Sequence, residues 1–133
     1  MSPERRVGIV HESDIVEARR EGRALAEEVG FSRGELALIA TAISELARNI
    51  LSYARTGEIV VRLVERDGRR GVTVVASDEG PGIADVEACL RDGYSTSGGL
   101  GLGLPGARRL MDEMDIDTAP GAGTRVVMTK WAR

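Results

Sequence analysis

Two β-branched runs stand on either side of an Asp-Gly pair: Glu58-Ile59-Val60-Val61-Arg62-Leu63-Val64-Glu65, then Asp67-Gly68, then Gly71-Val72-Thr73-Val74-Val75-Ala76-Ser77. A glycine at the bend between two such runs predicts an antiparallel hairpin. Placed in mid-chain, that hairpin breaks any repeating alternation of strand and helix and disfavours a doubly wound parallel sheet. Ahead of it lie two helical patterns. Val7-Gly8-Ile9-Val10 reads as a short strand, Ser13-Asp14 as an N-cap, and Ile15, Ala18, Leu25 and Val29 as the buried positions of a helix ending near Gly30. Ser32 and Glu35 form a capping box for a second helix that runs to about Ala54. After the hairpin come a short helix over about 84–90, a Gly/Ser loop from Gly93 to Gly101, a helix through Leu104, Leu110 and Met111, and two last strands, 115–119 and 124–131, turning at Gly121-Ala122-Gly123. The expected class is α+β, a two-layer sandwich of one mixed sheet with helices on one face.

The chain has 133 residues, enough for one domain with a real core and too few for two ordinary ones. Its formal charge of −3 and its four aromatic residues, Phe31, Tyr53, Tyr94 and Trp131, argue against a nucleic-acid surface of basic residues and stacking rings. Its single cysteine, Cys89, excludes an intrachain disulfide and a cysteine-cluster metal site. It is expected to pack as a small hydrophobe. No secretion signal and no spanning segment is apparent, so neither a membrane nor a nucleic acid is expected as a partner, and the expected location is the cytoplasm.

On the long helix, Leu36, Ile39, Ile43, Leu46, Ala47 and Ile50 form one apolar stripe. Glu45 and Asn49 fall within roughly 40° of each other beside Leu38 and Ala42, on the shoulder of that stripe. By themselves they read as a polar pair at the edge of a core. Asp78-Glu79-Gly80-Pro81-Gly82 reads by itself as a turn. Yet Asp78 follows directly on the valine-rich strand, where a half-buried carboxylate needs a partner. A ligand amino group is one such partner, and Gly80 and Gly82 would let the backbone approach a flat ring.

Ser95-Thr96-Ser97-Gly98-Gly99-Leu100-Gly101-Leu102-Gly103 sets hydroxyls and glycines before a helix, where free amides and the helix dipole suit a phosphate chain. Gly101, Gly103 and Gly106 match the dinucleotide fingerprint in spacing. The fingerprint also needs a strand feeding the glycines, and here a polar loop does so, which excludes it. No Walker A sequence is present. His11-Glu12 is similar to the phosphoacceptor pair of sensor kinases but sits at a strand-to-helix junction and reads as structural.

The order and spacing of these motifs resemble the N box, G1 box, glycine-rich lid and closing Gly-x-Gly-Thr of the GHKL (Bergerat-fold) ATPases. Within them the chain resembles the bacterial partner-switching serine/threonine protein kinases of the RsbT type, from the stressosome. "TAISELARNI", "ASDEGPGI" and "DGYSTSGGLGLGLPGARRLMDE" carry the resemblance, which spans nearly the whole chain as one domain, 1–133. It implies ATP and Mg²⁺ as cofactors. Asn49 would give its side-chain oxygen to Mg²⁺, and Glu45 would accept the proton of an attacking hydroxyl. Asp78 would accept the adenine amino hydrogen, with Gly80 and Gly82 close to the ring and Thr124 at its other edge. Ser95, Thr96, Ser97, Gly98, Gly99, Leu100, Gly101, Leu102 and Gly103 would form the lid over the phosphates. The implied substrate is a STAS-domain antagonist protein in a stressosome complex, whose phosphorylation frees the kinase to activate a PP2C-type phosphatase. An anti-sigma factor of the same fold and an ATP-binding adaptor without transferase activity are the alternatives.

Overall fold

The computed structural model describes residues 4–80, 103–118 and 121–132. Strand β1 spans Glu4–Ile9, helix α1 Glu12–Glu27 and helix α2 Arg33–Tyr53. Strands β2, Gly57–Arg66, and β3, Arg69–Asp78, follow, then helix α3, Gly103–Leu110, and strands β4, Glu113–Thr118, and β5, Thr124–Trp131. The expected helix over 84–90, the loop from Gly93 to Gly101, and Cys89 lie outside the described residues.

The five strands form one sheet in the order β1-β2-β3-β5-β4. Every paired neighbour is antiparallel, where a mixed sheet is expected from the sequence. The reason is visible between β1 and β2. Two helices, each reversing the chain, intervene, so β2 returns against β1 rather than alongside it. At the hairpin, Asp67 and Gly68 both take positive φ, 52° and 78°, the backbone of a two-residue type I′ turn that matches the twist of the strands.

Helix starts follow local chemistry. Ser32 Oγ accepts from the Glu35 amide at 3.1 Å, and Glu35 returns a carboxylate oxygen to the Ser32 amide at 2.9 Å, so the expected capping box forms. Helix α1 starts earlier than the sequence suggests, with His11 as its N-cap. Asp14 acts from inside the first turn, its Oδ2 accepting the amides of Val10 and His11, both at 2.9 Å. Those backbone bonds hold its carboxyl below the usual carboxylate range.

The helices cover one face of the sheet. Leu36, Ile39, Ile43, Leu46, Ala47 and Ile50, the whole stripe on α2, are buried against Ile59, Val61, Val72, Val74 and Ala76. Lys130 also belongs to this face, beside Val72 in register. It is 7% exposed, and its Nζ donates to the Leu110 carbonyl at 3.0 Å. A buried cation thus closes the C-terminal end of α3, where the helix leaves carbonyls unpaired and its dipole is negative.

The other face carries no described helix, yet Val60 and Val75 are buried on it. Charged side chains on this face pair across strands, Arg6 with Glu58 and Arg62 with Glu4. At the hairpin end, Gly71 faces Trp131 in register, and the indole takes the space a side chain there would fill. The Trp131 Nε1 donates to Glu113 at 2.7 Å, and the Arg66 guanidinium lies 4.7 Å from the ring centre while also pairing with Glu113. These donors hold the Glu113 carboxyl below its ordinary range.

Candidate functional site

At the end of the sheet where β3 stops, one row of residues crosses all five strands. Register sets Ile9 beside Gly57, Gly57 beside Asp78, Asp78 beside Thr124, and Thr124 beside Thr118. The row faces the helix layer, because Asp78 is two residues from buried Ala76 and Thr124 two from buried Val126. Asp78, Thr124 and Thr118 are each half-buried.

The C-terminal half of α2 covers this corner. A Cβ on Gly57 would stand 2.8 Å from Ile50 Cγ2 and 3.1 Å from Asp78 Cβ. One on Gly80 would stand 2.6 Å from Ala54 Cβ, just past the end of α2, and 3.2 Å from Asp78 Oδ1. One on Gly123 would run into the Asp78 carbonyl and lie 3.0 Å from Glu79 Cα. Three glycines from three separate turns therefore close around Asp78, and each is where only hydrogen fits.

The Gly80 amide donates to Asp78 Oδ1 at 2.9 Å, which fixes the plane of the carboxylate and leaves Oδ2 for another donor. A half-buried acceptor held in this way suits an exocyclic amino group. Glu45 and Asn49 lie on α2, both half-buried on the shoulder of its stripe as the periodicity predicts, and Arg48 is exposed. Gly103 opens α3. Gly82, Ser95, Thr96, Ser97, Gly98, Gly99, Leu100, Gly101 and Leu102 lie outside the described residues.

Comparison with known proteins agrees with this arrangement. Residues 11–130 match the family described as histidine kinase-like ATPase domain. The chain belongs to the histidine kinase-like ATPase family. It is 50% identical over 127 residues to the serine/threonine-protein kinase RsbT of Bacillus subtilis (strain 168), covering 96% of each chain. It is 33% identical over 120 residues to the anti-sigma F factor of Caldanaerobacter subterraneus subsp. tengcongensis, covering 86% of this chain and 82% of that protein. Among solved structures, the mycobacterial sensor histidine kinase MprB shares the fold, with a TM-score of 0.60 at 19% identity over 98% of this chain and 99% of that one.

Within this histidine kinase-like ATPase domain, Gly57 and Thr118 escape a reading of the sequence, and Gly123, part of the closing Gly-x-Gly-Thr, gains a contact with Asp78 that the sequence does not suggest. Gly57 looks like an ordinary turn glycine until register puts it against Asp78. Thr118 could have been found by counting back from Thr124 across the Gly121-Ala122-Gly123 turn, which sets the two hydroxyls on one row of one face. For Gly80 the structure adds a contact that the sequence does not suggest, since its missing Cβ makes room for Ala54.

Proposed function

We propose that this chain is an ATP-dependent serine/threonine protein kinase, a single domain over 1–133, that phosphorylates a STAS-domain antagonist protein of a stressosome complex and then activates a PP2C-type phosphatase. The observation that carries the reading is the corner itself: a fixed, half-buried Asp78 beside Thr124, under the half of α2 that bears Glu45 and Asn49, in a chain 50% identical to a serine/threonine-protein kinase. Asp78 and Thr124 would hold the base, and Asn49 would hold Mg²⁺. The Asn49 side-chain oxygen is a hard ligand of the kind Mg²⁺ takes, and it would hold the ion there. Gly82 and the stretch from Ser95 to Gly103 would supply the ring clearance and the phosphate amides. When bound, Mg-ATP supplies the transferable phosphoryl group. Glu45 orients the attacking serine hydroxyl and accepts its proton, while the amides counter charge that builds on the oxygens.

Among the described residues no helix is long and apolar enough to cross a membrane. The 33% identity to an anti-sigma F factor favours one second reading, in which the chain sequesters a sigma factor. Transfer of labelled phosphate from Mg-ATP to a STAS-domain protein tests the first. Glu45→Ala is expected to lower the transfer rate about 10²–10⁴-fold, the range for a lost general base, with nucleotide affinity kept. Undiminished transfer in that variant would remove Glu45 from the chemistry, and capture of a sigma subunit without any transfer would favour the second reading.

A further inference from the structure

The parts of the proposed chemistry follow one another along α2. Its C-terminal end meets the corner around Asp78, where a Cβ on Gly57 would stand 2.8 Å from Ile50 Cγ2 and one on Gly80 2.6 Å from Ala54 Cβ. Asn49 comes next toward the N-terminus and Glu45 one turn further, both half-buried. Phosphoryl transfer gives this line a direction. The serine oxygen bonds to the γ-phosphorus on the side opposite the bond that breaks to ADP, the two oxygens roughly in line. With ADP toward Asn49 and the corner, the hydroxyl reaches Glu45 from the other side, and the chain that carries it lies over the part of α2 that precedes Glu45.

What that part presents is Leu38. Four large apolar side chains are exposed among the described residues, and two of them, Leu38 at 38% and Tyr53 at 43%, are on α2. Tyr53 follows Asn49, on the nucleotide side. Leu38 is seven residues before Glu45 and eleven before Asn49, which at 100° per residue sets it within roughly 20° of each, on the line between them. The helical rise puts it about 10 Å from Glu45. Thr41, between the two, is exposed, so the way along the surface is open. A lone exposed leucine is ordinary on a protein surface. This one stands within about three extended residues of the group that takes the proton, on the side from which the acceptor comes.

We propose that Leu38 is a docking residue for the protein substrate: it receives an apolar side chain within about four residues of the acceptor serine, and so selects which serine reaches Glu45. This rests on the reading of Glu45 and Asn49 given above. It adds the local chemistry of the substrate, a serine with an apolar neighbour rather than one set in a run of charge. The contact removes apolar surface of both partners from water, and Leu38, carried by a helix, is already in place before the substrate arrives.

Steady-state transfer of labelled phosphate from Mg-ATP to a STAS-domain protein, with the whole chain as enzyme, tests this. Leu38→Ala is expected to raise KM for the protein substrate about five- to thirtyfold, the range for an apolar anchor at an interface, with the rate at saturating substrate and KM for ATP kept. Leu38→Met, which keeps an apolar side chain of similar volume, is expected to lie close to the wild type. On the substrate, each apolar residue within about four positions of the acceptor is replaced by Ala in turn. One of these changes is expected to raise KM as much, and to add little when combined with Leu38→Ala, since both remove the same contact. An unchanged protein KM in Leu38→Ala overturns the proposal, and so does a substrate series in which every effect adds in full to that of Leu38→Ala. A rise in KM for ATP as large as that for the protein marks a general distortion of α2 and overturns it as well. The underlying reading fails separately: no transfer by the wild type, or undiminished transfer by Glu45→Ala, removes Glu45 from the chemistry and this proposal with it.

Discussion

The three glycines around Asp78 make a quantitative expectation, sharpest at Gly57. An added methyl there would stand 2.8 Å from Ile50 Cγ2, about 0.7 Å inside the ~3.5 Å at which two carbons first pack well. It would also meet the Ser77 carbonyl oxygen, which belongs to β3 and cannot swing aside without disturbing the β2–β3 ladder. Overpacking of this kind costs about 1–3 kcal/mol. With roughly 2.1 cal/mol/K of unfolding entropy per residue, a chain of 133 residues loses about 4 °C per kcal/mol, so Gly57→Ala should melt about 4–11 °C below the wild type. Gly8, on the neighbouring strand, has nothing within 4 Å of an added Cβ, and Gly8→Ala should leave stability unchanged or raise it by about 0.4–1 kcal/mol through the unfolded chain. Thermal denaturation of the three proteins without ligand gives the comparison. ADP titration then asks whether Gly57→Ala, which pushes on Asp78 Cβ, also weakens nucleotide binding. A Gly57→Ala protein that melts within 1–2 °C of the wild type, by the same scale, or no lower than Gly8→Ala, would refute the claim that this corner is closed by close approach.

Two further outcomes follow from helix ends. The Asp14 carboxyl is held below its ordinary value by the Val10 and His11 amides, so its contribution is complete above the unfolded value of about 3.9 and is lost as pH falls through the lower folded one. The melting gap between wild type and Asp14→Ala should therefore be constant from pH 8 to about pH 5 and narrow in more acid solution; a gap equally wide at pH 3 would contradict the bonding described. Lys130→Met keeps the buried stem and removes the ammonium that caps Leu110, and urea denaturation should show a loss of about 1–2 kcal/mol. A variant as stable as the wild type would mean that burying the ammonium costs as much as the cap returns.

Where structure is decided by neighbours in sequence, it was legible. Asp67-Gly68 announced the hairpin and Ser32 with Glu35 the start of α2, because a turn or a cap is made by residues within four positions of each other. The same locality explains the small error at α1. A carboxylate near a helix start can serve from the cap or reach back from the first turn, and Asp14 does the second. Lys130 was beyond reach, since strand alternation with Val126 and Met128 puts it on the apolar face and only the end of α3 supplies its partner. The candidate site was half legible. Glu45, Asn49, Asp78 and Thr124 stand out as polar residues at edges of apolar patterns. Gly57, Gly123 and Thr118 matter through cross-strand register, and register between strands tens of residues apart is set by packing that no local pattern states.

The clasp of Trp131 between Arg66 and Glu113 has a practical consequence as well. Trp131 is the chain's single tryptophan, so it alone carries the indole fluorescence. It sits seven residues along β5 from Thr124, about 23 Å at the rise of an extended strand, at the opposite end of the sheet from the proposed base site. A nucleotide bound beside Asp78 is too far away to touch the indole, while unfolding strips away its arginine and its carboxylate together. The protein thus carries its own optical gauge of global integrity, one that registers nucleotide only through the stability that binding adds.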